Sequence, residues 1–254
     1  MKQLTQFIAV ILTTFTATAQ SNYCLSLNGT NNYVTIGTPL STNSSYTKEA
    51  WVYQTTSSGA RNIISSVSTP FWINGGILSA GQAGSYSAVT DPGSFPLNVW
   101  VHVAVTYDAA TTTMKLYRDG VLISTNNAVS SYSSENTFIG SHQGSSSFFQ
   151  GNIDEVRIWN TALTQAQLKQ NMYKGPANNA SGLVAYYKCD DGSGSTLTSS
   201  CTNTSGLNGS LQNSPTWIAS PVQFAINAIS FDGTNDVVTI PDDNTLDITT
   251  AITL

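Results

Sequence analysis

The sequence predicts an all-β fold, an antiparallel sandwich with one short helix, and three observations carry that prediction. Short runs of alternating apolar and polar residues recur along most of the chain, separated by turns rich in Gly, Asn, Ser and Pro. Asp119-Gly120 stands between two such runs, and a two-residue Asp-Gly loop favours a type I′ hairpin turn because both central residues need positive φ. One segment, 165–172, has helical spacing behind a threonine that can cap it.

Taken in order, residues 33–36 form a short strand after a Gly29-Thr30 turn. Residues 49–53 form another, with Trp51 and Tyr53 on one side and Val52 on the other. Weaker candidates at 62–65 and 71–74 are separated by Pro70, and 81–96 reads as loop with one short strand near Tyr86. The strongest strand, 99–107, is apolar on both faces and belongs in the middle of a sandwich. Residues 114–118 and 121–125 flank the Asp-Gly turn, and 138–140 adds a short strand. In 151–161, alternation places Ile153, Glu155, Arg157 and Trp159 on one face and Asp154, Val156 and Ile158 on the other. Thr164 caps the helix, whose Leu168 and Met172 are spaced to rest on the sandwich. Residues 182–188 are a strand, and 190–214 is a polar connector with the look of a hairpin.

The charged fraction of the 254 residues is only 9 %, with a formal net charge of −5. Lys and Arg are scattered singly, so no patch can neutralise a row of phosphates, and nucleic acid is excluded as a partner. Residues 1–19 read as a signal peptide: Lys2 before an apolar stretch at 7–12, then Ala17-Thr18-Ala19 as a small-x-small cleavage site. The alternative, a membrane anchor, needs a longer apolar run, and no membrane insertion is expected elsewhere. The protein is therefore expected to be secreted or displayed at the cell surface. In an oxidising compartment Cys189 and Cys201, which flank a Gly/Ser-rich turn, would form a disulfide and leave Cys24 single. Three buried small hydrophobes are the alternative. No CxxC or Cys/His cluster supports zinc.

The chain also repeats itself. Residues 24–36, CLSLNGTNNYVTI, align without gaps on 228–240, AISFDGTNDVVTI. The expected organisation is a complete sandwich over 22–222, with 182–188 completing it, and an incomplete second copy over 225–254. Such an incomplete copy should pack poorly alone, and neighbouring domains of the same chain are expected beyond Leu254.

Read together, SLNGTNNYVTI, EAWVY, WVHVAVTYD, MKLYRDGVLI, FIGS, GNIDEVRIWNTALTQAQL and GLVAYYKCDDGSGSTLT resemble a LamG-like jelly roll of the concanavalin A-like lectin/glucanase superfamily. The resemblance covers essentially the whole mature chain. It implies two antiparallel sheets packed face to face, in a protein that binds extracellular glycans or surface polymers or mediates adhesion. A structural spacer within a larger surface protein is the second reading, and a glycoside hydrolase the third.

Asp154 shares a face with two β-branched hydrophobes, and a buried carboxylate must be paired, hydrogen-bonded or bound to a cation. By the resemblance, Asp154 would hold a structural Ca²⁺ together with oxygens of the Asn28-Gly29 turn. The family usually has Asp where this chain has Asn28, as at Asp232 in the second copy, which would weaken that site. The alternative is that Asp154 only accepts hydrogen bonds. Glu155 and Arg157 read as an ion pair at a solvated edge. Glucanases of the superfamily alternate carboxylates along one strand, and no strand here does so. His102 reads as a core residue and His142 as exposed on a loop, and neither has the partners of a catalytic triad. No catalytic residue is assigned. For a sugar, Trp72 and Tyr86 in the loop-rich segment are the candidate aromatic platform, whereas Trp51, Trp100 and Trp159 belong to strong strands.

Overall fold

The computed structural model describes residues 22–222. The signal peptide expected at 1–19 and the incomplete second copy expected at 225–254 lie outside the described residues. Along the chain come β1 (Tyr23–Asn28), β2 (Tyr33–Thr35), β3 (Tyr46–Gln54), β4 (Ala60–Asn62), β5 (Ile64–Ser65) and β6 (Phe71–Asn74). They are followed by β7 (Ile77–Gln82), β8 (Ser85–Thr90), β9 (Trp100–Asp108), β10 (Thr113–Arg118), β11 (Val121–Asn126) and β12 (Phe138–Ile139). Next come β13 (Gln150–Trp159), the helix α1 (Gln165–Lys174), β14 (Leu183–Tyr187), β15 (Thr196–Leu197), β16 (Gly209–Gln212) and β17 (Thr216–Ala219).

An eight-stranded sheet runs β11-β10-β9-β3-β13-β1-β17, with β14 also paired to β13. Two smaller sheets, β15-β16-β2-β12-β5 and β4-β6-β7-β8, complete the described strands. One apolar cluster joins all three: Val52, Val103 and Ile158 from the large sheet meet Val34, Ile64 and Ile139 from the second and Phe71, Ile73 and Leu78 from the third. The expected antiparallel jelly-roll sandwich with one helix is what the described residues form. β9 lies inside the large sheet between β10 and β3, as its two apolar faces require. Asp119 and Gly120 have φ of 49° and 68°, as the hairpin turn between β10 and β11 demands.

The 81–96 segment is more ordered than its composition indicates. β7 and β8 form a hairpin across it, turning at Ala83-Gly84. Gly81 is what allows the strands to approach: a Cβ there would lie 2.0 Å from the Ser85 carbonyl oxygen.

β13 departs from simple alternation. Glu155 takes φ 52°, and the pairing with β3 slips from Asp154 opposite Trp51 to Arg157 opposite Glu49. Three steps along β13 thus span two along β3, which is a β-bulge, and the sides exchange beyond it. Ile153, Val156 and Ile158 consequently all face the main core, while Trp159 joins a second cluster with Ala104, Leu168 and Tyr186. Helix α1 covers that second cluster. Thr164 and Gln167 close a capping box at its start, Gly175 with φ 70° ends it, and Leu168 and Met172 are buried beneath it. Among the described residues no helix is long and apolar enough to cross a membrane.

Candidate functional site

Asp154 is buried, and protein groups meet both its oxygens. The Glu155 amide donates to Oδ1 at 2.8 Å and the Ser220 hydroxyl to Oδ2 at 2.5 Å. Burial pushes its carboxyl up to about 8, against the lowering effect of Ser220. The structure does not bring Asp154 to the Asn28-Gly29 turn. Asn28 pairs with Gln150, four positions along β13 from Asp154, which at about 3.4 Å per residue is roughly 14 Å.

The turn's oxygens are also engaged. Asn28 Oδ1 accepts the amides of Thr30, Asn31 and Asn32 at 2.9, 3.1 and 3.2 Å. The Gly29 carbonyl accepts from Arg61 Nη1 at 3.2 Å, and the same nitrogen donates to the Phe148 carbonyl at 2.8 Å. Asp154, Asn28 and Gly29 therefore do not fit one Ca²⁺, and a guanidinium already supplies a positive charge at the turn. Among the described residues, no group of three or more His, Cys, Asp or Glu is placed to hold a metal ion.

Glu155 and Arg157 form an ion pair at 2.6 Å, but it is buried rather than at a solvated edge. The bulge packs both side chains against Tyr186 of the adjoining β14. The Tyr186 hydroxyl donates to Glu155, and the Arg157 guanidinium lies 4.9 Å from the centre of the Tyr186 ring. Glu49 completes the network. It accepts from Trp159 Nε1 at 2.9 Å and Asn171 Nδ2 at 3.3 Å, with His102 Nε2 at 3.2 Å. Burial opposes the charge on Glu49, yet the adjacent His102 imidazole and the Arg157 charge outweigh it and hold its carboxyl below the ordinary range. The network braces the outer face of the large sheet.

The three cysteines are free and buried. Cys189, expected to pair with Cys201, instead belongs to the main core and points its thiol at the Tyr187 carbonyl, 3.7 Å away. Cys201 packs in the second cluster with its thiol 3.4 Å from the Leu183 carbonyl. The two residues fill different cores, which gives each the role of a small hydrophobe.

Trp72 and Tyr86 do come together. They line a cleft of about 250 Å³ on the small-sheet side. Phe71 and Ile73 point into the core, so Trp72 between them points the other way. Its indole N–H donates to the Tyr86 carbonyl at 3.1 Å, which fixes the ring, and the Tyr86 ring is 52 % exposed. Val67 and Pro70 supply an apolar wall, and Asn62, His142 and Ser147 supply polar groups.

Sequence reasoning misses three of these contributors. Asn62 faces Trp72 because β4 and β6 pair in that register, and its backbone N–H is held by the Ser147 carbonyl at 2.9 Å. It is only 2 % exposed, and its Oδ1 has no hydrogen-bond partner. His142 reaches the cleft from a tight turn closed by its own N–H to Ser146 at 2.8 Å. The rim at Val67–Pro70 is set from inside by Lys48. This lysine is fully buried and donates to the Ile64 carbonyl at 3.2 Å, to the Thr69 hydroxyl at 2.8 Å and to the Thr69 carbonyl. Glu135 grips the same turn from the other side, accepting from Ser68 N at 2.9 Å and Ser68 Oγ at 2.7 Å.

An antiparallel jelly-roll sandwich whose small-sheet side carries an aromatic cleft defines a lectin-like class of domain. A laminin-G-type family model, described as concanavalin A-like lectin/glucanases superfamily, matches residues 28–169. The chain belongs to that family. Among solved structures it is similar to a protein of Bacteroides ovatus provisionally described as carbohydrate-binding, at 24 % identity and a TM-score of 0.65. That match covers 82 % of this chain and 62 % of the other, so the chain spans less than two thirds of that protein's length. It is also similar to a heptameric SAP-like pentraxin from Limulus polyphemus, at 16 % identity and a TM-score of 0.52, covering 81 % of this chain and 99 % of that one. These likenesses establish the fold. No curated protein matches.

Proposed function

We propose that the chain is an exported, non-catalytic carbohydrate-binding module and that the Trp72–Tyr86 cleft is its sugar site. One observation carries this reading. A fixed indole and an exposed phenol line the same small cleft, beside a buried amide oxygen that lacks a partner. Aromatic faces take the apolar side of a sugar ring, while a few placed polar groups orient its hydroxyls. At about 250 Å³ the cleft lies just under the roughly 300–1,000 Å³ of drug-sized sites, which suits one sugar unit or a chain end. The description of the Bacteroides ovatus protein as carbohydrate-binding supports the same class of ligand. Export rests on the pattern of residues 1–19.

The buried carboxylates support a binding role over hydrolysis. Glu49 and Glu155 are buried in contacts with Arg157, Trp159 and Tyr186, away from any position where a glycosidic bond could sit between them. Affinity electrophoresis in gels containing neutral polysaccharides tests the proposal. The protein should be retarded in at least one gel, and Trp72→Ala should abolish the retardation with an unchanged melting midpoint. A folded protein that no polysaccharide retards would instead favour a spacer.

A further inference from the structure

We infer that the cleft takes an uncharged sugar unit and that the Asn62 side-chain amide hydrogen-bonds one hydroxyl or acetamido group of that unit. The inference rests on the proposed sugar site and goes beyond it by naming the ligand's charge and one contact. Two observations carry it independently.

The first is the charge of the lining. Among the described residues, no Asp, Glu, Lys or Arg lines the cleft. The charged residues that hold the segments around it are engaged elsewhere. Arg61 donates from Nε to the Ser58 carbonyl and from Nη1 to the carbonyls of Gly29 and Phe148. Glu135 is bound to Ser68, and Lys48 points into the core at Thr69. A uronic or sialic acid carboxylate would lose water against Trp72, Val67 and Pro70 without gaining a lysine or arginine partner, and an unpaired charge is costly to desolvate.

The second is Asn62 itself. Its side chain lines the cleft, its Oδ1 has no partner in the free protein, and a ligand group can bond the amide where the lining exposes it. The β4–β6 register places Asn62 beside Trp72 on one face of the sheet. A sugar ring stacked on the indole would then present an edge hydroxyl, or an acetamido group, to the Asn62 amide. Sites that hydrogen-bond a substrate hydroxyl strongly reject the analogue lacking it, so this amide would set specificity.

The test uses isothermal titration with neutral arabino-, galacto- and cello-oligosaccharides, set against oligogalacturonate and sialyllactose of matched length. A neutral sugar should bind at least about tenfold more tightly than either acid. Asn62→Leu should weaken that binding about tenfold while leaving the melting midpoint equal or higher, since an unsatisfied polar group has been removed. Monodeoxy forms of the best neutral sugar supply a second measurement that needs no variant: one position should cost wild-type binding about tenfold. Where Asn62→Leu is folded, that same deoxy form should cost it nothing further. If Trp72→Ala binds like wild type, the cleft is not the site and the proposed function falls with this inference. If Trp72→Ala abolishes binding but the acids bind as well as neutral sugars, or no deoxy position matters, only this inference is overturned.

Discussion

Lys48 on β3 crosses the core to donate to both the carbonyl and the hydroxyl of Thr69, the residue that precedes Pro70 on the rim of the cleft. A strand of the large sheet is thereby tied to the wall of the candidate site. The turn it grips is closed further by Ser66 and Thr69, whose hydroxyls lie 2.8 Å apart, and by Glu135 outside. The ammonium stays in the interior because three oxygens surround it, although burial lowers its pKa to about 7.

That lowering has a definite sign. With a folded value of about 7 and an ordinary value of 10.5, the unfolded chain holds a proton that the folded chain has lost between those limits. Stability therefore rises with pH across this window, and the cost of the buried charge is fully present below 7. Urea unfolding from pH 6 to 10 should show the rise in wild type and not in Lys48→Met. The same substitution should weaken sugar binding about three- to tenfold by releasing the Thr69 turn. Equal pH slopes in the two proteins would refute the assignment.

The sequence makes parts of this legible and hides others for identifiable reasons. The β10–β11 hairpin announces itself because Asp119-Gly120 must adopt positive φ, and the cap of α1 does so through Thr164 and Gln167. The bulge at Glu155 leaves no such trace, since one left-handed residue that is not glycine does not alter the alternation before or after it. Missing it sends Ile153 to the wrong side and leaves the Glu155–Arg157 pair in solvent. Trp72 and Tyr86 are readable as a platform because they stand among glycines and serines. Asn62 is not readable, because only strand register makes it the neighbour of Trp72. Lys48 shares the parity of Ala50 and Val52, which signals an inward side chain, but nothing local reveals that Thr69 waits across the core.

Arg61 bears on the calcium expectation. Its guanidinium joins the Ser58, Gly29 and Phe148 carbonyls and so ties β4 to two turns. EDTA should leave the thermal midpoint unchanged, whereas Arg61→Ala should cost about 1–3 kcal/mol by stranding those carbonyls. A midpoint that drops with EDTA and recovers with added Ca²⁺ would overturn this account of the turn.

Asp154 links β13 to the end of the described chain through Ser220. Its carboxyl is raised from 3.8 to about 8 by burial, which favours the neutral acid in the folded state. A raised folded value means that the folded chain holds the extra proton between about 4 and 8. The stability it contributes is complete below the lower limit and is lost as pH rises through the upper one. Asn at this position can accept from the Glu155 amide and donate to the Ser220 oxygen without carrying a charge. Asp154→Asn should therefore match wild type near pH 4 and exceed it at pH 8, by on the order of 2 kcal/mol. Denaturant midpoints measured at both pH values decide the point. A variant less stable than wild type at pH 8 would mean that the ionised carboxylate is held by a cation, and the neutral-acid assignment would be lost.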